Sequence, residues 1–245
     1  MNINNDIMKI GNAGSDFQFS AIEVDRLGAS EYTLVTLVLD MSSSVRNYQK
    51  ELNESISTIL DSCRMSSFAE NLMVRLVTFN ENVFEEHGFL PLSELKNDSY
   101  KNIVQPRGTT ALFDASLNAI KATVDFGKTL YDNDFDSNAI LFVITDGADN
   151  ASSHTIGDVG QAIKEFGMNE TVESIRSVLV GVNTEYSNVN TYLEDFKNNA
   201  SIDQYIDIKN ANANSLAKMA EFISQSISAQ SQSLGTGVAS KALHF

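Results

Sequence analysis

Apolar and polar positions follow two different periods along this chain. Tyr32 to Leu39 is an unbroken β-branched and apolar run, the mark of a strand buried on both faces of a parallel sheet. Leu72 to Phe79, Ala139 to Thr145 and Ser177 to Val182 repeat that signature. Segments of helical spacing lie between them. Ile56, Ile59, Leu60 and Cys63 form one stripe; Leu112, Ala115, Leu117, Ala119, Ile120 and Val124 form a second; Val159, Ile163 and Phe166 form a third. Strands alternating with helices of this length predict βαβ units, hence an α/β chain with a doubly wound, mostly parallel sheet flanked by helices.

The polar stretch Phe79-Asn80-Glu81-Asn82-Val83 separates two β-rich runs, so Val83 to Phe89 is expected to return as an antiparallel edge strand, with Glu85, Glu86 and His87 suited to an exposed edge. Tyr205 to Ile208 reads as a last short strand. Ser215 to Ser228 reads as a closing helix with Leu216, Met219, Phe222, Ile223 and Ile227 inward. Phe17 to Val24 hints at a first strand whose alternation breaks at Ala21. The pattern therefore divides the chain into an N-terminal extension with a candidate edge strand (1–30), one main domain (31–230) and a Ser, Gln and Gly tail (231–245). That tail is expected to be flexible, with docking through Leu243 and Phe245 as the alternative. Only two prolines occur, and no Pro- or Gly-rich linker or internal repeat divides the chain.

Composition narrows the function classes. With 245 residues and 42% hydrophobic content, the chain is long enough to bury one sizeable core. Its longest apolar runs fall far short of the ~20 residues that span a bilayer. Seventeen basic against 32 acidic side chains give a formal charge of −15, which repels a phosphate backbone and argues against nucleic acid as partner. The opening Met-Asn-Ile-Asn-Asn-Asp lacks the basic and apolar regions of a secretory signal, and Cys63 is the only cysteine. A cytoplasmic setting is the resulting expectation.

Candidate chemistry sits in three short motifs near strand ends, where a doubly wound sheet places its ligand site. Asp40-Met41-Ser42-Ser43-Ser44 directly follows the first buried run. Arg107-Gly108-Thr109-Thr110-Ala111-Leu112 precedes a helix, and Thr145-Asp146-Gly147-Ala148-Asp149-Asn150 closes a later strand. These motifs offer carboxylates and hydroxyls without thiols or imidazoles, a donor set that selects Mg²⁺, Mn²⁺ or Ca²⁺. Alternate residues of an extended loop point the same way, so Asp40, Ser42 and Ser44 converge while Met41 and Ser43 turn elsewhere.

Asp-x-Ser-x-Ser, Gly-x-Thr-x-Leu and Ile-Thr-Asp-Gly, in that order and on the expected elements, resemble the metal-ion-dependent adhesion site (MIDAS) of von Willebrand factor A (VWA) domains. The resemblance covers roughly Tyr32 to Ile227. It implies a Rossmann-like VWA fold with a divalent ion, Mg²⁺ first among the candidates. Ser42, Ser44 and Thr110 would bind the ion through their hydroxyls, and Asp40 and Asp146 directly or through water. It further implies an open coordination position filled by an Asp or Glu carboxylate of a protein partner. Ser43 departs from the family, which often has Gly there.

The resemblance implies a non-catalytic interaction module, expected to act as an adaptor or scaffold in a bacterial or phage-infected cell. The competing reading is a Mg²⁺-dependent phosphohydrolase resembling haloacid dehalogenases, which also place an aspartate after the first core strand. That chemistry needs a second carboxylic acid two residues later, where this chain has Ser42. Asp149 and Asn150 read as turn formers. Cys63 reads as a small core residue, and His87, His154 and His244 as surface groups without zinc-ligand spacing.

Overall fold

A computed structural model of the chain describes residues 8–13, 17–96, 100–168, 170–186 and 188–245. The first seven residues of the extension lie outside it. The strands are β1 (Met8–Ala13), β2 (Phe17–Ile22), β3 (Glu31–Asp40), β4 (Leu72–Phe79), β5 (Val83–Pro91), β6 (Asp136–Thr145), β7 (Ile175–Val182) and β8 (Gln204–Ile208). The helices are α1 (Gln49–Arg64), α2 (Leu112–Tyr131), α3 (Ile156–Gly167), α4 (Val189–Ala200) and α5 (Ala213–Gln232). The strands form one sheet in the order β1-β2-β5-β4-β3-β6-β7-β8.

The continuous apolar runs occupy the middle of that sheet, because only a strand covered on both faces can bury every side chain. In β3 every residue after Glu31 is buried, as is every residue of β4. Parallel pairing joins β4, β3, β6, β7 and β8, while β5 runs antiparallel to β4. Helices α1 and α5 pack together on one face, and α2, α3 and α4 on the other. The inward positions expected of the helices are buried at Ile56, Ile59, Leu60, Leu112, Ala115, Val159, Phe166, Leu216, Met219 and Ile223. Cys63 is buried with them, and burial pushes its thiol up to about 12.

The β5 region departs from expectation in its exposure. The strand is antiparallel as read, but β2 lies alongside it, in parallel through Ala21 and Phe89, and β1 pairs antiparallel with β2 further out. Glu85 is therefore drawn into a network. Its carboxylate accepts from the Ser20 amide at 2.8 Å and the Ser20 hydroxyl at 2.5 Å, and from Arg75 Nε at 2.7 Å. Arg75 has no exposed surface and also donates through Nη2 to Asn118 Oδ1 at 2.9 Å. A cation so buried is tolerable only with such partners. His87, expected at the surface, is 3% exposed; its Nε2 lies 3.0 Å from the Tyr100 hydroxyl, and its Nδ1 lies 2.9 Å from the Gly88 carbonyl. Periodicity alone does not reveal which segment will cover a strand. His154 is half-buried, with Nδ1 2.8 Å from Asp114 Oδ1, and His244 is exposed.

After α5 the chain turns back over the domain. The Phe245 ring meets Phe222 edge-on at 5.8 Å, Leu243 packs on the core, and the Leu243 carbonyl accepts from Gln204 Nε2 at 2.7 Å. Among the described residues no helix is long and apolar enough to cross a membrane.

Burial holds the His87 imidazole neutral, with its pKa lowered to about 4; the Arg75 cation lowers it further, and the Gly88 carbonyl and Glu85 carboxylate oppose. An unfolded histidine takes its proton near pH 6.5, so acidification through that window favours the unfolded chain. Between pH 7 and 5 this group should remove about 2 kcal/mol of stability. Urea unfolding of wild type and His87→Gln in EDTA at both pH values checks this: the variant should lose less stability than wild type on acidification, by about that amount.

Candidate metal centre

The doubly wound order creates a switch point. From β3 the chain moves outward through α1 to β4, and later crosses back through α2 to β6 on the other side of β3. The loops leaving the C-terminal ends of β3 and β6 diverge there and leave a crevice between them. Asp40 is the last residue of β3, and Asp146 follows the last residue of β6. Their positions follow from strand lengths and register, since Leu39 lies opposite Ile144.

Backbone hydrogen bonds lace a third loop, 107–111, onto the first. Arg107 N–H donates to the Met41 carbonyl at 2.9 Å, and Ser43 N–H to the Gly108 carbonyl at 3.2 Å. Its far side is tied to the loop after β6: Asn150 N–H donates to the Thr110 carbonyl at 2.9 Å, and Thr110 N–H to Asn150 Oδ1 at 2.8 Å. Asn150 thus holds Thr110, a role more specific than that of a turn former. Asp149 likewise accepts from the Ser152 hydroxyl at 2.5 Å, and Ser152 Oγ accepts the amides of Phe113 and Asp114, each at 3.1 Å. The N-terminus of α2 is therefore capped by a different loop, which supplies the acceptors that its own preceding residue, Ala111, lacks.

Within this frame the side chains meet. Asp40 Oδ1 accepts the Ser42 amide at 2.7 Å, and Oδ2 accepts the Thr145 hydroxyl at 2.6 Å. Ser42 Oγ lies 2.9 Å from Ser44 Oγ, which donates to Asp146 Oδ1 at 2.6 Å. The Thr110 hydroxyl reaches the same crevice: a Cβ built on Gly147, the residue after Asp146, would stand 3.4 Å from it. Asp40, Ser42 and Thr110 are buried, while Ser44 stays open to solvent. The structure brings together Asp40, Ser42, Ser44 and Asp146, with Thr110 against the following glycine.

Two contributors escaped the sequence reading. Thr145 orients Asp40, and its signal was present in the Ile-Thr-Asp-Gly motif. Tyr48 follows in the short helical turn after Ser44; it is 3% exposed, and its hydroxyl is buried beside Asp146 without a hydrogen bond of good geometry. Nothing in spacing alone singles out that tyrosine.

The electrostatics are those of a site short of positive charge. Burial pushes the Asp40 carboxyl up to about 6; the Thr145 and Ser42 hydrogen bonds pull it down, and the Asp146 charge raises it. Burial raises Asp146 as well, against the Ser44 hydrogen bond and the nearby Tyr48 hydroxyl, which favour the charged form. None of these principal influences is a basic side chain. The donors are all hard oxygens, which fits a hard divalent cation. Among the described residues no group of three or more His, Cys, Asp or Glu gathers as a metal cluster, so hydroxyls have to supply ligands at a centre of this kind.

No protein-family model matches the chain, and no curated protein sequence does. Solved structures do match. The PilB minor pilin from Streptococcus sanguinis superposes with a TM-score of 0.57 at 14% identity, over 84% of this chain and 64% of that one. The pilus adhesin SpaC from Lactobacillus rhamnosus GG, in its open conformation, gives 0.55 at 12% identity over 86% and 31%. Proximal thread matrix protein 1 from the mussel byssus, with a zinc-occupied MIDAS motif, gives 0.55 at 16% identity over 81% and 46%. The chain thus spans 64% of the pilin's length and less of the other two. Identities this low establish likeness of fold: the chain has the α/β fold of VWA-like domains.

Gly108 carries the lacing of the loops. Its φ is +72°, and a Cβ there would fall 1.7 Å from the Glu81 carboxylate, which accepts the Thr109 amide at 3.1 Å. Gly108→Ala should cost about 1–2 kcal/mol in urea unfolding from the left-handed backbone alone. Gly28→Ala, with nothing within 4 Å of the added carbon, is the control expected to change little.

Proposed function

We propose that this chain is a non-catalytic, divalent-metal-dependent protein-interaction domain of adaptor or scaffold type. In this reading Ser42, Ser44 and Thr110 hold the ion through their hydroxyls, and Asp40 and Asp146 hold it directly or through water. An Asp or Glu carboxylate of a protein partner completes the coordination. The observation that carries the proposal is the run of oxygens from Ser42 through Ser44 to Asp146, at 2.9 and 2.6 Å, in a crevice open at Ser44 that also holds the buried Asp40. Mg²⁺ is the ion expected, with Mn²⁺ and Ca²⁺ able to use the same donors. The zinc-occupied MIDAS motif of the similarly folded byssus protein supports divalent-ion binding in general.

The division of labour among the residues explains why this arrangement suits adhesion. Serine and threonine hydroxyls donate lone pairs without neutralising charge, so an ion bound through them keeps much of its attraction for an incoming carboxylate. Asp40 is held by Thr145 and by its own loop, which keeps one carboxylate oriented without drawing on the solvent side. Asp146 stands on the open side beside Ser44 and is steadied by Tyr48. A chain of charge −15 repels acidic partners at long range, and an interposed cation is what lets it hold one. The lone cysteine agrees with a cytoplasmic setting in a bacterial or phage-infected cell.

Calorimetric titration of Mg²⁺ into EDTA-stripped protein tests the metal site. Wild type should bind one ion, with affinity falling about tenfold or more in Asp40→Ala and Asp146→Ala while circular dichroism stays unchanged. Equal binding by all three proteins would remove the basis of the proposal. In the same titration Tyr48→Phe should weaken Mg²⁺ by a smaller factor, about threefold to tenfold, because Asp146 loses the buried hydroxyl beside it.

A further inference from the structure

Beside the metal loop the surface opens into a recess of about 350 Å³ lined by Met41, Phe84, Glu86, Asn102, Ile103, Gln105 and Arg107. Met41 lies between Asp40 and Ser42, so the recess and the proposed metal position share a wall one residue thick. Arg107 is fixed to that wall by the hydrogen bond its backbone N–H donates to the Met41 carbonyl at 2.9 Å. Its exposed guanidinium lies over the Phe84 ring at 5.7 Å and forms no ion pair among the described residues. The carboxylates in the neighbourhood are held by neutral donors and keep their charge. Glu86 accepts the Thr78 hydroxyl at 2.7 Å, and Glu81 accepts the Thr109 amide at 3.1 Å.

An arginine without a carboxylate is notable on a chain with 32 acidic side chains, the more so beside a crevice built from two of them. The cation–π contact with Phe84 places the guanidinium over the ring while leaving its N–H groups available to a planar anion. Apolar surface from Met41, Phe84 and Ile103 next to that cation gives the two halves of a side-chain subsite: a dry wall and one directional polar group.

We propose that this recess is a second recognition subsite, and that it selects a partner segment carrying two acidic residues within a few positions of each other. This rests on the metal-dependent reading above. One carboxylate completes the metal shell, the second pairs with Arg107, and an apolar side chain between or beside them enters against Met41, Phe84 and Ile103. Glu86 works against the second carboxylate and narrows its approach to the Arg107 side. The metal thus supplies the requirement for an acid, and the recess supplies discrimination among acids.

The test is an array of short immobilised peptides, each with one fixed central Asp and every other position varied through Ala, Leu, Asp and Lys. It is probed with the full chain in Mg²⁺ and in EDTA. Wild type should prefer peptides with a second acidic residue and a neighbouring Leu, in Mg²⁺ only. Arg107→Glu should lose about tenfold on those peptides and shift its preference at the second position to Lys; Glu86→Gln should bind them about threefold tighter. If Arg107→Glu selects the same peptides with the same strength, while binding still requires Mg²⁺ and Asp40, the subsite is refuted and the metal reading stands. Binding that persists in EDTA refutes both. An array that stays blank in Mg²⁺ refutes the subsite, and the Mg²⁺ titration then decides the metal reading separately.

Discussion

Holding a buried carboxylate beside a half-buried one, at the end of a central parallel pair, is the constraint on which the rest of this structure depends. Among the described residues neither Asp40 nor Asp146 meets a basic partner, and each is held in place by hydroxyl or amide donors. Removing a carboxylate from water without neutralising it is costly, and the raised Asp40 pKa of about 6 is the direct expression of that cost. The remainder of the domain supplies enough packing to hold the arrangement in place. β3 and β6 are buried along nearly their whole length and set the separation of the two acids by their register.

The loops around the crevice are rigid through backbone bonding more than through side-chain packing. The 107–111 segment is tied to the first loop on one side and to the loop after β6 on the other, so that Thr110 has little freedom to move independently. Such a frame fixes the crevice side chains on folding, so that in the proposed metal-binding reading most of the entropic cost of binding is already met. The helix cap donated by Asp149 and Ser152 extends the same principle to the start of α2.

Away from the crevice, the distinctive feature is the far edge of the sheet. Arg75, Glu85, Asn118 and Ser20 bring β2 onto β5 by charge-assisted hydrogen bonds where ladder pairing is reduced to a single partner pair. The N-terminal extension thereby becomes part of the sheet, and a strand with the polar sequence of an edge ends up covered. The edge of the sheet moves outward from β5 to β1, and β5 is secured by an ion pair in which the fully buried Arg75 depends on Glu85.

Sequence by itself determined the elements whose signal is local. Unbroken apolar runs marked β3, β4, β6 and β7, and stripes of helical period marked α1, α2, α3 and α5. The motifs at strand ends marked where Asp40, Ser42, Ser44 and Asp146 would meet. Those features are written in nearest-neighbour periodicity and in the rule that a doubly wound sheet gathers its loops at one end. Tertiary structure alone decided the burial of His87 and Glu85, the roles of Tyr48 and Asn150, and the recess beside Met41 with its unpaired Arg107. Each of those depends on which distant segment packs alongside, and the spacing of residues along one strand or helix carries no record of that.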